Sequence, residues 1–465
     1  MIVKNEAALL GRCLAGVRSA ADQIVVVDTG STDTTREVAR DCGALLIEAP
    51  WRDDFAWARN ISLDAARCRW ILWLDADDVV PASTLPMLDR LKRRPPDCVF
   101  GFVVKNERPG GTGTEFVQAR MFPNRPELRF ERRIHEQVMP SALRIGLRLE
   151  PCDAVVEHHG YADPATLKQK AARNVRLLLR EYPHGAPDPV TATEIADSYQ
   201  LVDDMDEAAR WYRAVIGFAG CETAAPVLAA HAHYGLGNVS NRQGCYSEAI
   251  AHFEDALRLT PWRPDVLYSS AVAYELSGDA ATAVELLRKI PKIKPRACQV
   301  GIDFRSAAIK AFLRVIRLLT ELERYDEAGQ AVLEALSAAG TRPEIQLAAG
   351  KFYLKTGALI NALQAFEKSV QLYRNGNVDA YIGLCCIYRR AHREDRLIET
   401  LDAIAPLFAE DARYRTARRA FIDTNPATGS MSDAEYAERL SALQRDFFGM
   451  VAKPADGGTV EKRTR

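Results

Sequence analysis

The chain has 465 residues, of which 48% are apolar and 26% charged, and its formal net charge is −1. This composition excludes a disordered or fibrous protein, and the length predicts roughly two to four domains. Because the charges balance, the chain has no overall positive field that would attract nucleic acid. No apolar run approaches the roughly 20 residues that span a bilayer.

Cysteine usage and the first residues bear on the compartment. Ten cysteines occur without a C-x-x-C pair, and the charged N-terminal segment does not read as a signal peptide. We therefore expect a reduced, soluble, cytoplasmic protein.

Short apolar runs alternate with helical stretches over the first 160 residues. Strands are predicted at residues 1–3, 23–27, 44–47 and 70–74, and helices at residues 6–21, 32–42 and 55–67. This alternation predicts a mainly parallel sheet covered by helices on both faces. Because such sheets bind ligands at the carboxyl ends of their strands, the acidic turns at Asp28 and at residues 75–78 mark the expected site.

From about residue 190 the pattern changes to helix after helix, with a repeat. Three pairs of small residues lie 34 positions apart: Gly244 and Gly278, Ala249 and Ala283, and Ala328 and Ala362. This period resembles that of tetratricopeptide repeats. About five or more helix pairs would form a curved solenoid with a concave binding face. An irregular all-helical domain is the alternative.

These patterns predict four segments. An α/β domain occupies residues 1–162, a linker helix and proline-rich joint residues 163–189, and a repeat-like helical domain residues 190–425. The linker helix is predicted at residues 167–179 and the joint at residues 183–189. A C-terminal helix at residues 432–450 and a disordered tail from residue 453 make up residues 426–465.

The strongest chemical signal is the acidic cluster after the strand at residues 70–74. Asp75, Asp77 and Asp78 crowd carboxylates at a strand end, where they are stable only with a counter-cation. A hard divalent cation with oxygen ligands is the natural partner and can bridge to a diphosphate. The alternative is an acidic cap on the helix that starts near Pro81 and Ser83.

Together with three other segments, this cluster resembles family 2 glycosyltransferases of the GT-A fold. The four segments follow the family's order and spacing: Lys4–Glu6, Val27–Asp33, Ala58–Asn60 and Leu74–Asp78. Residues 134–136 and 158–161 look like segments of a bacterial subgroup that joins this domain to tetratricopeptide repeats and includes sublancin-type peptide glycosyltransferases. The resemblance implies an α/β GT-A domain with a Rossmann-like mixed sheet, followed by an all-α solenoid of tetratricopeptide repeats.

The resemblance implies a nucleotide-sugar donor, with a UDP-sugar favoured. Asp28 would accept hydrogen bonds from the uracil, and Gly30 would let the backbone come close. For Asp28 and Asp33 the alternative is a plain turn with a helix cap. The complete set implied to bind the nucleotide-sugar is Val3, Asn5, Glu6, Asp28, Gly30, Ser31, Arg59, Asn60, Asp75 and Ala76.

The same resemblance assigns roles around the metal. Asp75 would face the ribose or the sugar, and Asp77 would bind Mg²⁺ or Mn²⁺. Asp78 would be a second ligand or would hold Arg59. Arg59 and Asn60 would orient the carboxylates or the sugar, and for Arg59 the alternative is a weak surface ion pair.

A late histidine can complete the metal site in GT-A enzymes. His158 matches the first position of the subgroup's His-x-Gly-Tyr and is preferred to His159, and a histidine with a structural role is the alternative. An inverting transfer also needs a base for the acceptor's proton. Glu136, about 60 residues beyond the acidic motif, is the candidate, with Glu115 and Asp153 as rivals.

The remaining predicted groups lie around these. Arg120 or Arg133 would help the metal neutralise the leaving UDP. Asp78, Arg120 and His135 would support the ligands or face the acceptor.

Two departures from the family pattern shape the expectations. The family carries several more residues before the segment at Lys4–Glu6, so the first strand is expected to be a stub. The first domain is also short, so the linker helix or the repeats would supply acceptor-side elements. The repeats would hold a peptide or protein acceptor, or pair two copies of the chain.

Two other functions are alternatives. In one, the repeats form an adaptor beside a degenerate, inactive glycosyltransferase domain. In the other, the chain is a sugar nucleotidyltransferase, which predicts a glycine-rich basic loop after the first strand, and the sequence has none. Dinucleotide-binding and P-loop motifs are also missing.

Overall fold

The computed structural model describes residues 1–108, 112–160, 164–182, 186, 188–294 and 302–423. The chain divides into two compact units, one of residues 1–279 and 293–306 and the other of residues 280–292 and those from 307 onward. The predicted C-terminal helix and tail lie outside the described residues, as does most of the proline-rich joint.

A three-stranded parallel sheet carries the first two motifs. Its strands, in spatial order, are β1 (Ile2–Val3), β2 (Val25–Asp28) and β3 (Leu45–Glu48). Val3 lies opposite Asp28, and Asp28 lies opposite Glu48. The carboxyl ends of these strands therefore meet at one edge, as predicted.

A second, five-stranded sheet follows. Its strands are β4 (Trp70–Leu72), β5 (Asp78–Val79), β6 (Val99–Arg108), β7 (Thr112–Pro123) and β8 (Leu149–His158), in the order β4-β7-β6-β8-β5. Only β6 and β8 pair in parallel, and the other three pairings are antiparallel.

The mixed character of the sheets agrees with the GT-A expectation and corrects the prediction of a mainly parallel sheet. β7 begins four residues after β6 ends, which is too close for the crossover that parallel strands require. The predicted strands all lie within the first 80 residues, so this long β6–β7 pair was not predicted.

Helices cover the sheets of the first domain. They are α1 (Ala7–Val17), α2 (Thr35–Asp41), α3 (Phe55–Ala65), α4 (Leu85–Lys92) and α5 (Met139–Arg144). The side chains of α1 that are buried, Leu10, Cys13, Leu14 and Val17, recur at helical spacing and form one face.

Helix α2 is shorter than predicted. It begins at Thr35 with Thr34 as the cap residue, and Thr34 makes no capping hydrogen bond through its side chain. Asp33 Oδ1 instead accepts the Thr35 amide at 3.0 Å. Asp33 therefore takes part in the helix cap, which is the alternative role given for it above.

The rest of the described chain is helical. The linker helix α6 (Pro164–Glu181) is longer than predicted. It is followed by α7 (Pro189–Leu201), α8 (Met205–Gly217), α9 (Cys221–Ala224), α10 (Pro226–Arg242), α11 (Tyr246–Leu259), α12 (Pro264–Leu276), α13 (Ala280–Lys289), α14 (Phe304–Glu321), α15 (Tyr325–Ala339), α16 (Pro343–Thr356), α17 (Leu359–Leu372), α18 (Val378–Arg390), α19 (Glu394–Phe408) and α20 (Ala412–Arg418). Among the described helices, none combines the length and apolar character needed to cross a bilayer.

The predicted repeat is present in both units. The alanines on which the 34-residue period rests are fully buried: Ala249, Ala283, Ala328 and Ala362. The turns between paired helices carry one residue of positive φ, at Asp203, Gly244, Gly278, Glu323, Gly357 and His392. Glycine fills three of these positions because it reaches that conformation without steric cost. The other three repeats keep the turn without glycine, so the sequence period shows them less clearly.

Candidate functional site

The loop after β1 is joined to the turn after β2. The Asn5 amide donates to Ser31 Oγ at 2.9 Å, and Asn5 Oδ1 accepts the Thr32 amide at 2.8 Å. The Glu6 amide donates to Thr35 Oγ1 at 2.8 Å. Asn5 has a φ of 56°, a conformation that asparagine tolerates better than most residues. The structure thus brings together the segments predicted to line the nucleotide, and Val3 beneath them is buried.

Asp28 organises this turn. Its carboxylate accepts the Gly30 amide at 3.1 Å and the Ser31 amide at 3.1 Å, and Arg36 Nε donates to Oδ2 at 2.9 Å. Burial acts to raise the pKa of Asp28, but the hydrogen bonds from Ser31, Arg36 and Gly30 together lower it. The side chain has no exposed surface, so these contacts are those of a turn. A uracil contact for Asp28 stays a prediction.

Arg59 joins two of the predicted acidic residues. Its Nη2 donates to Asp75 Oδ1 at 2.7 Å, and its Nε donates to Glu136 Oε1 at 2.5 Å. The guanidinium lies 4.4 Å from the ring centre of Trp73 and 5.6 Å from that of Phe130. Arg59 is 6% exposed, so the alternative of a weak surface ion pair is wrong.

The charge of Arg59 controls Asp75. Burial alone would raise the pKa of Asp75, but the nearby guanidinium groups of Arg59 and Arg120 lower it to about 2. Asp75 is therefore ionised at neutral pH. About a third of its side chain is exposed, so part of it remains open to a ligand.

Asn60 and Ala76 take structural positions. The Asn60 amide nitrogen donates to the Phe130 carbonyl and its oxygen accepts the Phe130 amide, both at 2.9 Å. Ala76 is 5% exposed and packs in the core of the parallel sheet. Asn60 orients the Phe130 segment beside Arg59, and a direct contact with the sugar stays a prediction for both residues.

Asp78 is fully buried and contacts three neighbours. Its Oδ2 accepts Arg120 Nη1 at 2.7 Å and the Asp75 amide at 2.8 Å, and its Oδ1 lies 2.9 Å from His158 Nδ1. One interpretation of the sequence expected Asp78 to hold Arg59, but Arg59 pairs with Asp75 and Glu136 instead. Arg120 is 2% exposed and its guanidinium lies 4.0 Å from the Trp73 ring centre, so this pair is a buried support.

Asp77 and His158 face one small space. His158 Nδ1 lies 3.5 Å from Asp77 Oδ1, and the Asp77 carbonyl accepts the His159 amide at 2.8 Å. A Cβ added to Gly160 would lie 2.8 Å from Asp77 Oδ2 and would overlap His158 Nε2. The missing side chain of Gly160 therefore leaves room where the two ligand atoms converge.

These residues suit a divalent cation. Burial and the negative charges of Asp75 and Asp78 raise the pKa of Asp77, although His158 opposes them. The hydrogen bond to Asp78 raises the pKa of His158 despite burial. With Nδ1 engaged by Asp78, Nε2 is the nitrogen left for a metal, which is how metal-binding histidines are commonly oriented. Asp77, Asp78 and His158 form a group whose ligand atoms lie within 4.8 Å of one another.

Helix α6 adds basic residues that the sequence analysis missed. Arg173 lies with its guanidinium 5.0 Å from the ring centre of Phe55 and interacts electrostatically with Glu136. Burial raises the pKa of Glu6, helped by the charge of Asp77, whereas the charge of Lys170 on α6 acts against this rise. The basic, helical pattern of residues 164–181 was the available signal, but its orientation depends on the fold.

The remaining candidates lie at the margin. His135 is exposed with a φ of 53°. Arg133 Nη1 lies 3.7 Å from Asp54, and Asp153 is exposed on β8. The side chain of Glu115 lies outside the described residues.

Comparisons with known proteins agree with this architecture. The family described as "Glycosyl transferase family 2" matches residues 1–148, and the one described as "Tetratricopeptide repeat" matches residues 242–299. A TPR repeat-containing protein of Synechococcus elongatus is 32% identical to this chain. The aligned region covers 56% of this chain and 65% of that protein. The SPbeta prophage-derived glycosyltransferase SunS of Bacillus subtilis is 28% identical to this chain. The aligned region covers 38% of this chain and 43% of that protein.

Among solved structures, a tetratricopeptide repeat protein from Parabacteroides merdae is 15% identical, over 57% of this chain and 99% of its own, with a TM-score of 0.40. The chain spans less than two thirds of the length of the two curated relatives named above.

Proposed function

We propose that this chain, a glycosyl transferase family 2 domain over residues 1–148 followed by tetratricopeptide repeats, is a metal-dependent, inverting glycosyltransferase. Its donor would be a nucleotide-sugar, with a UDP-sugar favoured. The observation that supports this most is the convergence of Asp77 and His158 on the space beside Gly160. A cation held there would neutralise charge on the diphosphate of the donor.

On the donor side, the joined loops after β1 and β2 would bind the nucleotide. Backbone and side chains of Asn5, Gly30 and Ser31 border this edge of the sheet, and their hydrogen bonds fix its shape before a ligand arrives. Asp75, ionised beside Arg59, would accept hydrogen bonds from hydroxyl groups of the ribose or the sugar.

In the transfer step, a nucleophilic atom of the acceptor bonds to the anomeric carbon, while the bond to the diphosphate oxygen breaks and its electron pair leaves with UDP. Glu136 would take the proton of the nucleophile. Arg59 links Glu136 to Asp75, so one guanidinium would set the position of the base relative to the sugar. Arg173 would add positive charge at this side of the site.

The acceptor would be a peptide or protein held by the repeats, which could also pair two copies of the chain. A helical repeat surface can bind a segment much longer than the reacting residue. That remote binding energy would position the nucleophile over the sugar.

Binding of UDP to the full chain tests the donor half of this proposal. Calorimetry with and without Mn²⁺ should show Mn²⁺-dependent binding in the wild type and in the control Asp64→Ala, which removes an exposed carboxylate of α3. Asp77→Ala should abolish the Mn²⁺ dependence. If the folded wild-type protein does not bind UDP with Mn²⁺, the proposal fails and the adaptor alternative replaces it.

The base has a separate test. Glu136→Gln should lower the rate of transfer by about 10²- to 10⁴-fold and leave UDP affinity unchanged, because a general base acts only on the acceptor. An unchanged rate would exclude Glu136 from that role. The anomeric configuration of the product, read by NMR, would decide between inversion and retention.

A further inference from the structure

Two histidines and a carboxylate converge between helices α10 and α11 of the first unit. His233 lies on α10, and His252 and Asp255 lie three residues apart on α11, which places them on one face. The two Nδ1 atoms are 3.4 Å apart, and Asp255 Oδ2 lies 3.8 Å from His233 Nδ1. The three ligand atoms all lie within 4.8 Å of one another.

The separation of the two nitrogens is that of ligands sharing one ion. Zinc–nitrogen bonds of about 2.0–2.1 Å at a tetrahedral angle place two nitrogens about 3.3–3.4 Å apart. The observed separation of 3.4 Å is therefore the one expected for two nitrogens on one tetrahedral zinc ion.

The outer ring nitrogens face carboxylates. His233 Nε2 lies 3.9 Å from Glu222 Oε1, and His252 Nε2 lies 3.9 Å from Glu248 Oε1. Ligating histidines commonly direct their second N–H to a carboxylate, which fixes the tautomer and the ring orientation. Both rings therefore present Nδ1 to the shared space and have a carboxylate within 4 Å of Nε2, close enough to orient the ring once an ion binds.

Arg258 orients two of these carboxylates. It donates to Asp255 Oδ1 at 3.0 Å and to Glu222 Oε2 at 3.3 Å. The other oxygens, Asp255 Oδ2 and Glu222 Oε1, are the ones that face His233. His233 is 7% exposed and its Nε2 has no hydrogen-bond partner, whereas 42% of the Asp255 side chain is exposed. An ion could thus enter from solvent beside Asp255.

We propose that His233, His252 and Asp255 bind one Zn²⁺ ion, with water as the fourth ligand. Two imidazoles and a carboxylate suit zinc, whereas Mg²⁺ and Mn²⁺ prefer oxygen ligands. The ion links α10 to α11 and stabilises this helix pair, because it binds the folded arrangement and not the unfolded chain. The proposal is independent of the sugar-transfer site.

The test uses the full chain carrying Asp77→Ala, so that the group around His158 contributes less to zinc binding. Titration with ZnCl₂ should show one bound zinc ion and a rise in the thermal midpoint. His252→Asn and Asp255→Asn should each remove both effects. Glu222→Gln should weaken zinc binding about 10- to 100-fold, as loss of an outer carboxylate does elsewhere.

A matched control is His392→Asn, which changes an exposed turn histidine of the second unit. It should bind zinc as the parent does. If His252→Asn does not melt cooperatively and is therefore unfolded, Asp255→Asn decides the outcome, because this half-exposed side chain can be replaced without disturbing the core. The proposal is overturned if the folded parent does not bind zinc, or if it binds zinc equally well after Asp255→Asn and His252→Asn.

Discussion

Gly160→Ala tests the predicted cation site without changing any charge. The added Cβ would lie 2.8 Å from Asp77 Oδ2, whereas ordinary contact begins at 3.4 Å, so the carboxylate and the backbone at residue 160 must separate by about 0.6 Å to restore ordinary contact. His158 must move further, since the methyl group overlaps Nε2. The ring cannot swing away freely, because its Nδ1 is held by Asp78 at 2.9 Å.

A displacement of this size has a known order of magnitude. Misplacing a reacting or binding group by about 1 Å costs roughly 100-fold in rate, which corresponds to about 2.7 kcal/mol in the activation free energy. We therefore expect Gly160→Ala to lower Mn²⁺-dependent hydrolysis of a UDP-sugar by about 100-fold and to weaken Mn²⁺ binding by about 10-fold or more.

The assay combines the rate of UDP release with calorimetric Mn²⁺ binding and a thermal melt. Gly217→Ala is the matched control, because a Cβ at Gly217 meets no atom within 4 Å. That variant should keep both the rate and the Mn²⁺ affinity. Wild-type Mn²⁺ affinity and rate in folded Gly160→Ala would refute the assignment of Asp77 and His158 to one cation.

Three further changes test the packing and the charges. Arg59→Ala should lower the free energy of unfolding, measured by urea denaturation, by about 3 kcal/mol, because it leaves two paired carboxylates without their cation. The control Arg129→Ala, which breaks an exposed ion pair, should lower it by less than about 1 kcal/mol. Equal losses in the two variants would contradict this prediction. Glu323 has a φ of 57°, which glycine adopts more easily, so Glu323→Gly should raise the free energy of unfolding by about 0.5–1 kcal/mol. The control Glu334→Gly, inside α15, should lower it by about 1 kcal/mol. A decrease in both variants would refute the argument about the turn. The pKa of Asp28 is lowered on folding, so its ionised form stabilises the fold above the unfolded pKa of about 3.9, and this contribution is lost as the pH falls through the folded pKa. The stability difference between wild type and Asp28→Asn should therefore shrink from pH 7 to pH 3, and a constant difference would count against it.

Much of the candidate site could be predicted because it lies in short segments with a fixed order. Asp28 ends β2, and the acidic motif follows β4 and runs into β5, so strand prediction alone placed both acidic turns. His158 is 80 positions from Asp78, yet the two side chains touch. The family resemblance suggested that His158 belongs with the acidic motif, and the pairing of β5 with β8 explains why it reaches that position.

Several features could not be predicted from the sequence. Arg59 bridges Asp75 and Glu136, a residue 77 positions away, and no local pattern encodes such a link. Arg173 approaches the site from α6, whose orientation depends on how that helix packs. The group of His233, His252 and Asp255 was missed because its spacing matches no metal motif and forms only when α10 packs on α11.

The sequence alone determined the order of the first four strands and the three helices between them, the repeat period and the identity of the acidic motif. These depend on local periodicity and turn chemistry, which neighbouring residues carry. Only the tertiary structure decided which sheet pairings are antiparallel, that Asp78 supports His158 instead of Arg59, and that Gly160 borders the ligand atoms of Asp77 and His158. Those outcomes depend on contacts between residues far apart in the chain, and only packing brings such residues together.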